Sequence, residues 1–102
     1  MATLKLTLSK IPFDVMITGE KKTEYRRASK WIESRLYDKY RNLRSYMYVE
    51  FTNGYGKDKP RFTCEFKGVT VSDRVDELYS NGLHVDTHEK TYCIHLGERV
   101  FL

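Results

Sequence analysis

The sequence predicts an α+β domain, a small and partly open β-barrel of about five to six strands with two to three short helices. Three observations predict it. Apolar residues recur at every second position in four segments (Leu4, Leu6, Leu8; Met47, Val49, Phe51; Phe62, Cys64, Phe66; Tyr92, Ile94, Leu96), the period of strands with one buried face. Two stretches between those segments carry helical spacing and helix punctuation instead. A chain of 102 residues can build one modest core and not two, so residues 1–102 are read as a single domain.

Taken in order, Thr3 to Leu8 alternates its leucines with Thr3, Lys5 and Thr7 and makes the first strand. Ser9 to Thr18 reads as a helix: Pro12 falls near the first turn, Phe13, Met16 and Ile17 share a side, and Gly19 is the stop. Lys21 to Arg27 follows as a strand. Its Lys22, Glu24 and Arg26 share one face and Lys21, Thr23 and Tyr25 the other, unless a turn at Gly19 re-aims Lys21. Ser29 suits the N-cap of a second helix reaching about Tyr40, with Ile32, Leu36 and Tyr40 at helical spacing; Trp31 is expected to pack that helix on the barrel, the competing reading being a stacking ring in the cleft. Tyr46 to Thr52 and Arg61 to Val71 are strands joined by Asn53-Gly54-Tyr55-Gly56-Lys57-Asp58-Lys59-Pro60, a run of turn formers that makes them a hairpin with Tyr55 exposed at its tip. Ser72 to Ser80 is expected as a short helix closed by Asn81-Gly82, and Thr91 to Leu102 supplies the last strand. Leu83 to Lys90 takes no assignment.

Composition narrows the function classes. Eight Tyr, five Phe and one Trp give a small core large apolar areas to bury, which argues against disorder. No apolar run approaches the ~20 residues of a membrane helix, and Lys5 and Lys10 interrupt any leader-like apolar start. A cytoplasmic protein without a membrane partner is the resulting expectation. Cys64 and Cys93 lack CxxC or Cys/His spacing, so two reduced, inert thiols are expected, with no metal and no cofactor.

Charge is placed unevenly. Between Glu20 and Arg44 stand nine basic residues against four acidic ones, a net +5, while the rest of the chain carries −1. Tyr25, Trp31, Tyr37 and Tyr40 are interleaved with those cations. Such a segment suits a polyanion, because cations meet phosphates and rings stack on unpaired bases; it also suits a helix that merely keeps a soluble outer face.

One octapeptide stands out, Gly19-Glu20-Lys21-Lys22-Thr23-Glu24-Tyr25-Arg26. A cation, an anion and a guanidinium on one patch can hold a phosphate, a base edge or a carbonyl; the plainer reading is an edge strand with an ordinary ion pair. The octapeptide resembles the G-x-K-x-x-E-x-R signature of the ASCH domains, with Gly19, Lys21, Glu24 and Arg26 in the four fixed places. The surroundings are also similar to small standalone ASCH proteins of phages and bacteria: the Leu4-x-Leu6-x-Leu8 strand, the short Pro-Phe helix and the Phe51 to Gly56 turn. The resemblance is clearest from Leu4 to Gly68 and implies a PUA-like barrel with the signature beside a cleft between barrel and helices.

What the resemblance implies for function is an RNA- or nucleotide-binding module. Its ligand-binding residues are Gly19, Lys21, Lys22, Glu24 and Arg26. To these the sequence itself adds Tyr55, an exposed ring followed by Lys57, Lys59 and Arg61 that either caps a base or folds back on the barrel. Arg26 would fork a phosphate or carbonyl, Lys21 would add a point charge, and Glu24 would order the pair or accept from an exocyclic amine. The alternative is a hydrolase with Lys21 and Glu24 as catalytic candidates. One branch of the family removes the acetyl group from N-acetylated cytidine with the signature lysine, a threonine three residues later and a distant glutamate; here Glu24 holds the threonine's place, Thr23 lies one residue off, and Asp73, Asp76 and Glu77 are all candidates for the acid. A ribonuclease, the reading of another branch, would look to His84, His88 or His95 for a base. The balance leans away from catalysis. A third reading is a phage-type inhibitor that binds a host protein, which would place the chain in the host-cell cytoplasm.

Overall fold

The computed structural model describes residues 2–101 and has the α+β architecture expected of the sequence. In chain order the elements are β1 (Ala2–Leu8), α1 (Lys10–Ile17), β2 (Thr23–Arg27), α2 (Lys30–Leu36), β3 (Tyr46–Asn53), β4 (Arg61–Ser72), β5 (Val75–Leu78), β6 (His84–Thr87) and β7 (Thr91–Val100). Five strands form one curled sheet in the order β1-β3-β4-β7-β2, and β5 and β6 form a separate two-stranded hairpin. Within the main sheet β1 runs parallel to β3, and every other pair is antiparallel.

The alternating segments do what their period requires, except that Met47, expected on the inner face of its strand, is 43% exposed at the start of β3. Leu4, Leu6 and Leu8 from β1, Val49 and Phe51 from β3, Phe62 and Cys64 from β4, and Tyr92, Ile94 and Leu96 from β7 are all buried in one cluster. Phe13 and Met16 of α1 and Ile32 and Leu36 of α2 close that cluster from outside the sheet. Rings join the layers: Phe62 lies edge-on to Phe13 at 5.1 Å and tilted to Phe51 at 5.3 Å. Pairing between β4 and β7 slips twice, between Cys64 and Phe66 and between Phe66 and Val69, with Gly68 at φ +109°. Such irregularities bend a sheet, and here they help curl it into a half-barrel.

The two edges of this half-barrel, β1 and β2, are tied by one side chain. Arg26 of β2 donates through a terminal guanidinium nitrogen to the Thr7 carbonyl of β1 at 3.0 Å. The barrel is therefore open in backbone pairing but bridged across its seam.

Three expectations need correction. Ser72 to Ser80 is not a helix: Val75–Leu78 is β5, and the unassigned stretch supplies its partner β6. Asn81-Gly82 belongs to the turn between them, where Tyr79 N–H donates to Leu83 O at 2.8 Å and Gly82 takes φ +89°. The pair is a hairpin signal rather than a helix stop. The second helix ends at Leu36, not near Tyr40, because Tyr37 is already extended and the Asp38 carboxylate takes the amides of Tyr40 and Asn42 at 2.8 and 3.0 Å. A short acidic side chain offers the backbone that alternative to helix. Tyr40 is consequently 72% exposed, and Trp31, expected in the core, is 48% exposed. Ser29 does cap α2, accepting from Ile32 N–H at 3.2 Å.

Candidate functional site

Gly19 decides where the signature points. α1 ends on Thr18, the Gly19 amide donates to Met16 O at 3.0 Å, and Gly19 then takes φ +88°, a left-handed step that a side chain rarely adopts. The chain turns there, so Lys21 and Lys22 precede β2 as irregular backbone and do not follow strand alternation. Lys21 swings inward and is only 2% exposed. Its ammonium donates to Glu24 Oε1 at 2.9 Å and to the Thr23 carbonyl at 2.6 Å, and it stands 5.3 Å from the centre of the Tyr25 ring and 6.0 Å from that of Tyr79.

Glu24 is the centre of this network. It is 5% exposed, paired with Ile94 across the β2–β7 ladder, and its second oxygen accepts from Arg26 Nε at 2.8 Å. Lys21, Glu24 and Arg26 thus form a chain that runs from the α1 stop to the β1 edge. Two cations share one carboxylate, and each also gives one donor to a backbone carbonyl. Among the described residues no buried side-chain nitrogen or oxygen lacks a partner. The signature is thereby a structural staple, already satisfied by its own members.

Burial governs the tyrosines alongside. Desolvation raises the Tyr25 and Tyr79 hydroxyls above the ordinary tyrosine range. A neighbouring clasp holds the β5–β6 turn against Gly19: the Ser80 amide donates to Glu20 Oε2 at 2.8 Å, its hydroxyl donates to the other oxygen, and Asn81 Nδ2 donates to Ile11 O at 2.9 Å. The Ser80 bonds hold the Glu20 carboxyl below its usual range.

Beside this staple lies a cleft of about 360 Å³. Met16, Ile17, Cys64 and Leu96 give it an apolar lining, and Thr18, Gly19, Lys22, Glu98 and Arg99 give it a polar one, with Lys21 and Gly97 completing the wall. Neither Lys22 nor Arg99 forms an ion pair among the described residues. Arg99 sits 5.8 Å from the Phe62 ring centre and 4.6 Å from that of Phe101, which orients its guanidinium without neutralising it.

The expected site residues therefore divide. Gly19, Lys21 and Lys22 line the cleft, while Glu24 does not line it and meets it only through Lys21, and Arg26 borders a different depression with His84 and Thr87. Tyr55 is 85% exposed at the β3–β4 tip and lines a third, with Lys5, Glu50 and Arg61. None of the three histidines lines the cleft, nor do Asp73, Asp76 and Glu77; His84 pairs with Asp76, His88 with Asp86, and His95 bonds Thr70. Sequence reasoning missed Glu98 and Arg99. Their only local signal is that Glu98 stands where the period of Tyr92, Ile94 and Leu96 calls for the next apolar residue.

Cys64 and Cys93 are free and buried, and desolvation pushes both thiols up, away from reactivity. Among the described residues no three His, Cys, Asp or Glu side chains cluster to hold a metal ion. Among the described residues no helix is long and apolar enough to cross a membrane. In comparisons with known proteins, the chain matches no family model, no curated protein and no solved structure.

The staple and the exposed Trp31 make opposite stability predictions. Arg26→Ala strips Glu24 of one charge partner and leaves the Thr7 carbonyl without its donor, so it should cost about 1–3 kcal/mol. Trp31→Ala removes a half-exposed ring and should cost under about 1 kcal/mol. Urea titrations of both proteins check this; a Trp31 variant less stable than the Arg26 variant would contradict the assignment.

Proposed function

We propose that this chain is an ASCH-like module that binds a nucleotide, free or at the end of an RNA, in the cleft beside the signature. One observation carries the reading: a cleft of about 360 Å³ joins an apolar lining to two cations, Lys22 and Arg99, that have no carboxylate partner among the described residues. That volume lies at the small end of ligand pockets, and apolar walls with a few directed polar groups are the usual composition of such sites. A base would lie against Met16 and Leu96, a phosphate would meet Lys22 and Arg99, and Glu98 would accept from an exocyclic amine or a ribose hydroxyl. The staple's part is to hold the Gly19 loop and β2 in place rather than to grip the ligand.

The test is a nuclear magnetic resonance titration with uridine and cytidine monophosphates and with a 5′-phosphorylated dinucleotide. Shifts should concentrate at Gly19, Lys22, Leu96 and Arg99. Replacing both cations (Lys22→Glu with Arg99→Glu) should weaken binding about a hundredfold or more, since hydrogen bonds to charged groups contribute about 1.5–3 kcal/mol each. Unmoved resonances with all three probes would overturn this reading and leave a protein partner as the alternative. Both oxygens of Glu24 already accept from cations, which disfavours that carboxylate as a general base on acetylated cytidine.

A further inference from the structure

We propose that residues 30–44, the outer face of α2 and the turn that follows it, form a second contact surface, a stacking platform for single-stranded nucleic acid. It does not rest on the cleft reading, because the two surfaces lie toward opposite ends of β7. Tyr92, near the start of that strand, donates its hydroxyl to Glu33 of α2, whereas Leu96 to Arg99 line the cleft. At ~3.3 Å per residue those points are roughly 13–23 Å apart.

Charge complementarity names the occupant. The segment holds five cations (Lys30, Arg35, Lys39, Arg41 and Arg44) against two carboxylates. Both carboxylates are engaged locally: Glu33 accepts from Tyr92, and Asp38 from the amides of Tyr40 and Asn42. None of the five cations forms an ion pair among the described residues. Three instead lie over rings, with Arg35 5.3 Å from the Trp31 ring centre, Lys39 5.1 Å from that of Tyr40, and Arg41 5.9 Å from that of Tyr37. Tyr37 packs on Tyr92 at 6.0 Å and anchors the group, while Trp31 and Tyr40 stay open to solvent. Cations beside exposed ring faces match a strand of alternating phosphates and unpaired bases; an acidic peptide would use the charges and leave the rings idle.

The platform is also built rigidly. Tyr37 and Leu43 pair as an antiparallel bridge, Asp38 N–H donates to Asn42 O at 2.9 Å, Arg41 N–H to Asp38 O at 3.0 Å, and Arg44 N–H to Leu36 O at 2.8 Å. Arg41 is held at φ +68°, the only non-glycine residue in the left-handed region among those described. Glycine or asparagine would sit there with less strain. The strained arginine stands next to an exposed tyrosine at the turn tip. Pre-ordering of the turn lowers the entropy lost on binding.

The experiment is fluorescence anisotropy with short labelled oligo-uridine and oligo-thymidine across a salt series, with thermal melts alongside. Tyr40→Ala and Trp31→Ala should each weaken binding about tenfold, the scale of one lost base–ring stack. Arg41→Gly relieves the left-handed residue, so it should melt no lower than the parent while the salt slope becomes shallower by about 0.7. Absence of binding by the parent at low salt, or equal binding by all three variants, would overturn the proposal. Retained oligonucleotide binding in the Lys22→Glu, Arg99→Glu protein together with loss in Tyr40→Ala would support it, and would separate the platform from the cleft. The opposite pattern would place all nucleic-acid contact in the cleft.

Discussion

Glu24→Ala should unfold this protein more effectively than almost any other polar substitution, lowering its stability by about 3–5 kcal/mol, the usual result of removing one member of a buried ion pair. The magnitude follows from what would remain. Lys21, 2% exposed, would keep its ammonium among the Tyr25 and Tyr79 rings with only the Thr23 carbonyl to accept from it, and Arg26 would lose one of its two anchors. An exposed pair of the same composition is worth under about 1 kcal/mol, so the size of the loss distinguishes a staple from a surface contact. At about 4–8 °C per kcal/mol in a domain of this size, the melting temperature should fall by well over about 10 °C. Calorimetry on Glu24→Ala and Glu24→Gln checks it: the amide keeps the shape and one acceptor and should lose less. A Glu24→Ala protein that melts within a few degrees of the parent would show that this network does not staple the fold.

Phe62→Ala should cost a similar amount, about 3–5 kcal/mol, by opening a cavity where three elements meet. The ring touches Phe13 of α1 at one side and Phe51 of β3 at another, and Arg99 lies over it. α1 depends on that contact more than most helices would. It is eight residues long, and its N-cap Ser9 makes no side-chain capping bond, so the burial of Phe13, Val15 and Met16 carries much of what holds it in place. Since Met16, Ile17 and Thr18 form one wall of the cleft, the variant should show loosened amides there as well as a lower denaturation midpoint. Hydrogen exchange at α1 and urea unfolding measure the two effects. Protection at α1 equal to that of the parent would show that the helix is held by something other than this ring.

How far the sequence could be read depended on whether a residue's role is set locally. The leucines of β1 and the Tyr92, Ile94, Leu96 set of β7 were legible because a period of two admits one inner face, and those residues are buried. Ser29 was legible because capping is a local bond. The β5–β6 hairpin was not: four-residue strands carry too few apolar positions to show a period, and Val75 with Leu78 fits helical spacing equally well. Trp31 misled because a tryptophan near a helix start reads as core, whereas Arg35 and solvent share it here. The signature was visible as a set, but its internal pairing was not. That pairing hinges on one backbone angle at Gly19, which places Lys21 against Glu24 instead of on the opposite face. Arg99 was out of reach because nothing in its neighbourhood announces that β7 will pass beside the end of α1.

The position of β7 between β4 and β2 carries a consequence for how the molecule comes into being on a ribosome. β2 is made well before β7, its sole ladder partner among the described residues, so Glu24 and Ile94 meet only when β7 has been made. Until then the early strands β1, β3 and β4 can associate, but β2 remains a lone ribbon. The cleft, with one wall from the end of α1 and the other from β7, is absent from any shorter nascent chain. Pairings so distant in sequence make for slow closure. Completion of the cleft thereby waits on β7, and a chain cut short before β7 would present unpaired sheet edges rather than a weakened version of that cleft.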